Sequence, residues 1–236
     1  TIKKPDTTDL SLTILPGWNI YDIDESLSSK WLIKPGDISR ISPADLASIQ
    51  KKYPFLGDAP SLEGYLLPDT YRVANTATTR DILDKVLSTF DTRIYQKLTV
   101  TQKKTFEKKL ILASIVEREE RNPAEKAKVA GVLEKRYQIG MQIGADATIC
   151  YPLKLTNNEC TPDVIVANLG IDSPYNTRRK VGLPPTPIAN PSRDTILATL
   201  SPEATEYFYY LHAPDGQIYY AVTLEGHNAN KRKYLR

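Results

Sequence analysis

The sequence predicts an α+β fold: a small strand-and-helix unit over residues 1–60, then a larger mixed α/β domain over residues 61–236. Three observations predict it. Short apolar runs near the start are separated by the Pro16-Gly17 and Pro35-Gly36 breaks. Apolar residues at helical spacing fill the middle of the chain. Near the end, two Tyr-rich β runs flank Ala213-Pro214-Asp215-Gly216, a strong hairpin signal.

Leu12 to Leu15 reads as a short strand, Pro16-Gly17 as a turn and Asn19 to Ser29 as a helix. Ser42 followed by Pro43 is a helix start, cap then first turn. Residues 61–73 carry strand-like side chains around Pro68-Asp69. Thr78 or Thr79 caps a helix with the stripe Ile82, Val86, Leu87 and Phe90. The next helix covers about Gln102 to Glu120, and Asn122-Pro123-Ala124-Glu125 reads as the cap of another reaching about Tyr137. Residues 139–193 form a long irregular stretch rich in Pro, Asn and Thr. It carries enough packable side chains, Ile143 and Ile188 among them, to be ordered. Ser192 leads a short helix to Leu200, the hairpin follows, and a polar helix from about Gly226 ends the chain.

A chain of 236 residues can bury a substantial core. Its net charge of +3 singles out no nucleic acid or other polyionic partner. Fourteen Tyr outnumber four Phe and two Trp, which suits sugars and other amphipathic ligands as well as wet strand surfaces. The longest apolar run, Leu110 to Val116, is too short to span a bilayer, and no signal peptide is present. The abrupt polar beginning at Thr1 reads as a cut edge rather than a natural start. Cys150 and Cys160, with His212 and His227 remote from them, do not make a zinc site, so no metal is expected. The two cysteines fit either a local disulfide or a pair of buried thiols.

The most informative feature is the passage from Leu110-Ile111-Leu112-Ala113-Ser114-Ile115-Val116 straight into Glu117-Arg118-Glu119-Glu120. A helix apolar on nearly every side is buried. A carboxyl at its end is expensive to ionise and is held protonated unless paired. On the helical wheel Glu117 lies above Leu110 and Ala113, Glu119 lies on the core stripe, and Glu120 faces away. Glu117 and Glu119 are therefore rivals for acid chemistry, and a solvated helix end is the alternative to both. A second cluster, Ser173-Pro174-Tyr175-Asn176-Thr177-Arg178 ahead of Gly182-Leu183-Pro184-Pro185, is either a rigid polar ligand wall or a rigid connection. Asp146 and Thr148 offer an acid and a hydroxyl. No phosphate loop, dinucleotide motif or nucleophile elbow occurs.

In this order the pieces resemble the endolytic murein transglycosylase family (MltG-type, YceG-like). The matching segments are Leu62-Glu63-Gly64-Tyr65 with Pro68-Asp69-Thr70-Tyr71; Leu112 to Glu119; Val129-Ala130-Gly131-Val132 with Ile139-Gly140-Met141; Asp146-Ala147-Thr148; Ser173 to Thr177; Gly182 to Pro185 with Pro187 to Pro191; and His227-Asn228. The resemblance implies a LysM-like subdomain in the first unit and a catalytic transglycosylase domain after it. It implies cleavage of peptidoglycan strands between N-acetylmuramic acid and N-acetylglucosamine, with no cofactor. It maps the catalytic Glu onto Glu117, with Glu119 and Glu120 as neighbours that raise its pKa by like-charge repulsion. Asp146, Thr148, Tyr175, Asn176, Thr177 and Glu63 become substrate-binding candidates. Ile143-Gly144 replace the usual Leu-Gln, Ile218 stands where a hairpin His is usual, and Gly226 where Glu is common. Family members are normally anchored in the cytoplasmic membrane by one N-terminal helix, work outside the cytoplasm, and have peptidoglycan synthases or penicillin-binding proteins as expected partners. That compartment implies a Cys150–Cys160 disulfide. The rival functions are a non-catalytic peptidoglycan-binding scaffold and a pyridoxal-phosphate-dependent aminodeoxychorismate lyase; for the latter the sequence offers no phosphate cup.

Overall fold

A computed structural model describes residues 9–235. Strand β1 (Asp9–Ile14) pairs antiparallel with β2 (Asp69–Ala74), in a register that sets Leu12 opposite Tyr71. Between them lie α1 (Ile20–Ser29) and α2 (Pro43–Lys52). Then follow α3 (Thr79–Arg93), α4 (Val100–Glu119) and α5 (Lys126–Gln138). The irregular stretch holds two short helices, α6 (Ala147–Cys150) and α7 (Pro162–Ala167). Helix α8 (Arg193–Leu200), the antiparallel hairpin of β3 (Tyr209–His212) and β4 (Ile218–Ala221), and α9 (Leu224–Tyr234) complete the chain. Helices and two small sheets make an α+β fold, as predicted.

The helix starts follow from local chemistry. Asn19 and Thr78 each form a reciprocal capping box with the Asp three residues on, and Ser42 and Ser192 cap α2 and α8. The exception is α5, which begins at Lys126 instead of after Asn122. The Asn122 side chain accepts from Ala124 N at 3.1 Å, and Glu125 N donates to Asn122 O at 3.1 Å. The segment closes as a turn, the other conformation that Asn favours.

Two hydrophobic cores explain the all-round apolarity of α4. Leu110 and Ala113 pack into the first, with Leu12, Ile23, Leu87 and Phe90. Leu112, Ile115 and Val116 pack into the second, with Val129, Leu133, Ile143 and Ile188. The helix is sandwiched and needs no polar face until its last turn.

The boundary expected between residues 60 and 61 is not a structural boundary. Strand β2 lies beyond it yet completes the sheet begun by β1, and α3 contributes Ile82, Val86, Leu87 and Phe90 to the same core as α1 and α2. The Gly/Pro-rich stretch before residue 60 is surface turn, and the pairing that holds the unit together is distant in sequence.

Cys150 and Cys160 form a disulfide. It closes a short loop against the second core, where loop-closure entropy favours the oxidised fold by about 3 kcal/mol. Replacing both cysteines by Ser is expected to lower unfolding free energy by roughly that amount in denaturant titrations. An unchanged midpoint would show that the loop is held by its other contacts.

Candidate functional site

The C-terminal turn of α4 sends consecutive side chains into different surroundings. Glu117 is buried. Its Oε1 accepts from Lys126 Nζ at 2.8 Å. Its Oε2 accepts from Ser192 N at 2.8 Å, Ser192 Oγ at 2.7 Å and the Thr195 hydroxyl. The carboxylate thus sits on the N-terminus of α8, where the helix dipole favours negative charge. Burial pushes its pKa up, but the Lys126 ammonium and the Thr195 and Ser192 donors outweigh burial and leave it below the ordinary Glu value. This reverses the expectation for Glu117: it is held as a carboxylate. Glu119 and Glu120 do not act on it as modulators, because both point to other partners.

Glu119 lies in a cleft of about 440 Å³ whose other walls include Arg136, Asp146, Arg178, Tyr210, His212 and His227. Tyr210 Oη donates to Glu119 Oε2 at 2.8 Å, and among the described residues Oε1 has no hydrogen-bond partner. Burial and, secondarily, the Asp146 charge raise the Glu119 pKa; the Tyr210 bond, His212 and Arg178 oppose them without cancelling the rise. Glu119, the rival that the helical wheel left open, therefore has the raised pKa that the resemblance implied for Glu117. Glu120 turns to the hairpin, its Oε2 2.9 Å from His212 Nε2, while its Oε1 accepts from Asn122 N at 2.6 Å.

Long-range contacts build this cleft. Asp146 pairs with Arg178 at 2.5 Å. Arg136 donates to Ile143 O at 2.8 Å and to Phe208 O at 2.5 Å, tying the 143–146 loop to the approach of β3. The His227 ring stacks on Tyr209, its centroid 5.3 Å away, and its buried Nδ1 has no partner among the described residues. Ile218 pairs across the hairpin with His212, so an imidazole is present on the strand opposite.

Of the expected substrate-binding residues, the structure brings only Asp146 to this cleft. Thr148 and Thr177 are buried with their hydroxyls 2.9 Å apart. Thr177 accepts from Ala145 N through Oγ1 at 3.1 Å and from Gly144 N through its carbonyl at 3.1 Å. Asn176 is buried, donates to Leu169 O and Ile171 O, and accepts from Arg178 N. These three brace the loop that presents Asp146 and offer no surface to a ligand. A loop of this length must satisfy its own backbone polar groups, and its Thr and Asn side chains are spent doing so. Tyr175 is half-buried, with its hydroxyl 2.8 Å from Thr186 Oγ1 and its ring against Tyr151, outside the cleft.

Glu63 is buried and is not among the residues that line this cleft. It accepts from Ile20 N at 2.9 Å and from Asn190 Nδ2 at 2.7 Å. Asn190 also accepts from Gly64 N and Leu66 N, and donates to Trp18 O. Gly64 is needed here: its φ is +89°, and a Cβ would meet Pro187 Cγ at 2.6 Å. The Glu63-Gly64 pair thus joins the two halves of the chain from a buried position. Burial pushes the Glu63 carboxyl up to about 8. A carbon-13 titration is expected to place its midpoint near 8 and that of Glu117 below 4.5, the ordinary Glu value. The reverse order would contradict these environments.

The sequence reading missed Tyr210 and His212 around Glu119, and Lys126, Ser192 and Thr195 around Glu117; Arg178 it had named, as one member of the polar wall. A sequence signal existed for Ser192 alone, as a helix cap. Among the described residues no helix is long and apolar enough to cross a membrane.

A model of the YceG-like family matches residues 1–233. An endolytic murein transglycosylase of Bacillus subtilis (strain 168) is 33% identical over 177 residues, covering 74% of this chain and 48% of that protein. A protein of the same name from Streptococcus pneumoniae (strain D39) is 30% identical over 228 residues, 91% of this chain and 40% of that one. The chain thus spans less than half the length of these curated relatives. The crystal structure of a YceG-like protein from Listeria monocytogenes superposes with a TM-score of 0.81 at 30% identity, over 93% of this chain and 75% of that one. With the family model matched almost from end to end, the chain belongs to the YceG-like family.

Proposed function

We propose that this chain is the catalytic region of an endolytic lytic transglycosylase, with Glu119 as its single acid and base. The observation that carries the reading is the half-buried Glu119 carboxyl in an open cleft, its proton affinity raised by burial and by Asp146. The names of the two curated relatives supply the substrate class, the glycan strand of murein.

Ordinary glycosidases need two carboxylates, because an external water or an enzymic nucleophile must be activated or supplied. Here the bond from muramic acid C1 to the O4 of the next sugar breaks as Glu119 gives its proton to O4. The muramic acid O6 then attacks C1, and the Glu119 carboxylate takes the proton from that hydroxyl. A 1,6-anhydro ring closes, no water is consumed, and Glu119 returns to its starting state. An intramolecular nucleophile acts at high effective concentration, so one acid/base suffices. Tyr210 holds Oε2 in place. Asp146, Arg178 and His212 supply polar groups to the sugar that carries developing positive charge.

Glu117 remains the alternative catalytic residue, favoured by its place in the motif and by a cleft of about 660 Å³ beside it. Its four donors oppose that role, since a carboxylate so held is a poor proton donor. The β1-α1-α2-β2 order with its antiparallel strand pair fits a LysM-like glycan-contacting module. The Cys150–Cys160 disulfide fits the extracytoplasmic side of the membrane, with an anchor helix ahead of this region and peptidoglycan synthases as partners.

The test is digestion of purified peptidoglycan with mass spectrometry of the fragments. Anhydro-muramic ends are expected. Reducing ends alone would make the protein a muramidase, and binding without any new ends would make it a scaffold.

A further inference from the structure

A second cleft, of about 660 Å³, shares no wall residue with the Glu119 cleft. Arg118, Arg121 and Lys126 line it together with Trp18, Asn158 and Asp194. The Lys126 charge is spent on Glu117, its ion-pair partner. The two arginines are different: neither forms an ion pair among the described residues. Arg118 is half-buried, and of its five N–H donors one makes a hydrogen bond, to Gly17 O at 3.3 Å. Asp194 is exposed and lies beyond ion-pair distance of either guanidinium.

The Asp22, Glu119 and Glu63 charges favour the Arg118 guanidinium from a distance, but none is in contact with it, and its remaining N–H donors are left for a ligand. Arg121 stands exposed beside it, and among the described residues it makes no hydrogen bond, so one cleft wall carries two guanidiniums with uncommitted donors. Guanidinium forks match carboxylates in geometry. The half-buried Trp18 adds an apolar face, and Asn158 an amide with no partner of its own among the described residues. The cleft is far larger than one small anion requires and is of the size that takes a ligand.

We propose that this cleft is an acidic-peptide site, in which Arg118 and Arg121 hold a carboxylate of the peptides carried by the glycan strand. The choice of ligand rests on the transglycosylase reading; the presence of a carboxylate site does not. Arg118 and Glu119 are adjacent on α4, so a strand with its sugar at Glu119 and its peptide at Arg118 would straddle the end of one helix.

The test compares soluble glycan oligomers bearing their peptides with the same oligomers stripped of peptide. Calorimetry should show tighter binding of the peptide-bearing oligomer, weakening with added salt. Arg121→Gln, at an exposed position, should remove that advantage and raise KM on peptide-bearing strands about tenfold with kcat unchanged, the loss of one charged hydrogen bond. KM on stripped strands should stay as in the wild type, and Arg121→Lys should recover part of the difference. Equal binding of both oligomers by the wild type, or an equal effect of Arg121→Gln on both, would overturn the proposal. If the wild type makes no anhydro ends from either polymer, the catalytic reading fails while the calorimetric comparison still decides the peptide site.

Discussion

Glu119→Gln is expected to cut the release of anhydro-muramic products by about 10³-fold, the scale of a lost general acid and base. The fold should be unharmed, because a Gln amide oxygen can still accept from Tyr210 Oη as the carboxylate does at 2.8 Å. The pKa of Glu119 is raised by burial and the Asp146 charge, so the folded state binds its proton more tightly than the unfolded chain. Such a group favours folding at low pH and opposes it increasingly as pH rises above 4.5, its ordinary value. Glu119→Gln removes that opposition, and its thermal midpoint at pH 8 should equal or exceed the wild type's. Loss of activity with undiminished stability is the signature sought. Wild-type kcat/KM should fall as pH rises through the raised pKa, since the donor must hold its proton. If Glu119→Gln remains active, the assignment to Glu119 is wrong.

That prediction departs from what the α4 motif implied, and the reason is geometric. Glu117 and Glu119 differ by two positions on a helix, and the pattern Leu110 to Val116 shows only that one of them emerges from a core. Their chemistry is set by groups far away in the chain. Ser192 and Thr195 reach Glu117 from 75 and 78 residues on, and Tyr210 reaches Glu119 from 91. Local signals were legible: Asn19, Ser42, Thr78 and Ser192 cap helices because their side chains bond to amides two or three residues away. The hairpin around Asp215-Gly216 was legible for the same reason. The polar Thr148, Asn176 and Thr177 read as substrate-binding candidates because a residue type does not reveal whether its hydrogen bonds go to a substrate or to the loop's own backbone. The β1–β2 pairing across the supposed boundary was hidden by its sequence distance.

The ion pair of Glu117 and Lys126 supports the second prediction. Glu117→Gln should destabilise the protein by about 3–5 kcal/mol, because it strands a buried ammonium. Lys126→Met should cost less, since Ser192 N, Ser192 Oγ and Thr195 Oγ1 continue to satisfy one carboxylate oxygen. The double variant Glu117→Gln, Lys126→Met should be more stable than Glu117→Gln alone: no charge is then buried, and the amide oxygen still accepts from α8. Urea titrations of the four proteins give the coupling directly. The pH dependence has a definite sign. A carboxyl whose pKa is lowered on folding contributes stability that is present above its unfolded value, 4.5, and is lost as pH falls through the lower folded value. Wild-type stability should therefore drop below pH 4.5, and that part of the drop should be missing in the double variant. Additive single effects with identical acid profiles would mean that Glu117 and Lys126 are neighbours without being partners. A coupling of the expected size makes Glu117 the clasp between α4, α5 and α8, fixing the helix end from which Glu119 reaches its cleft.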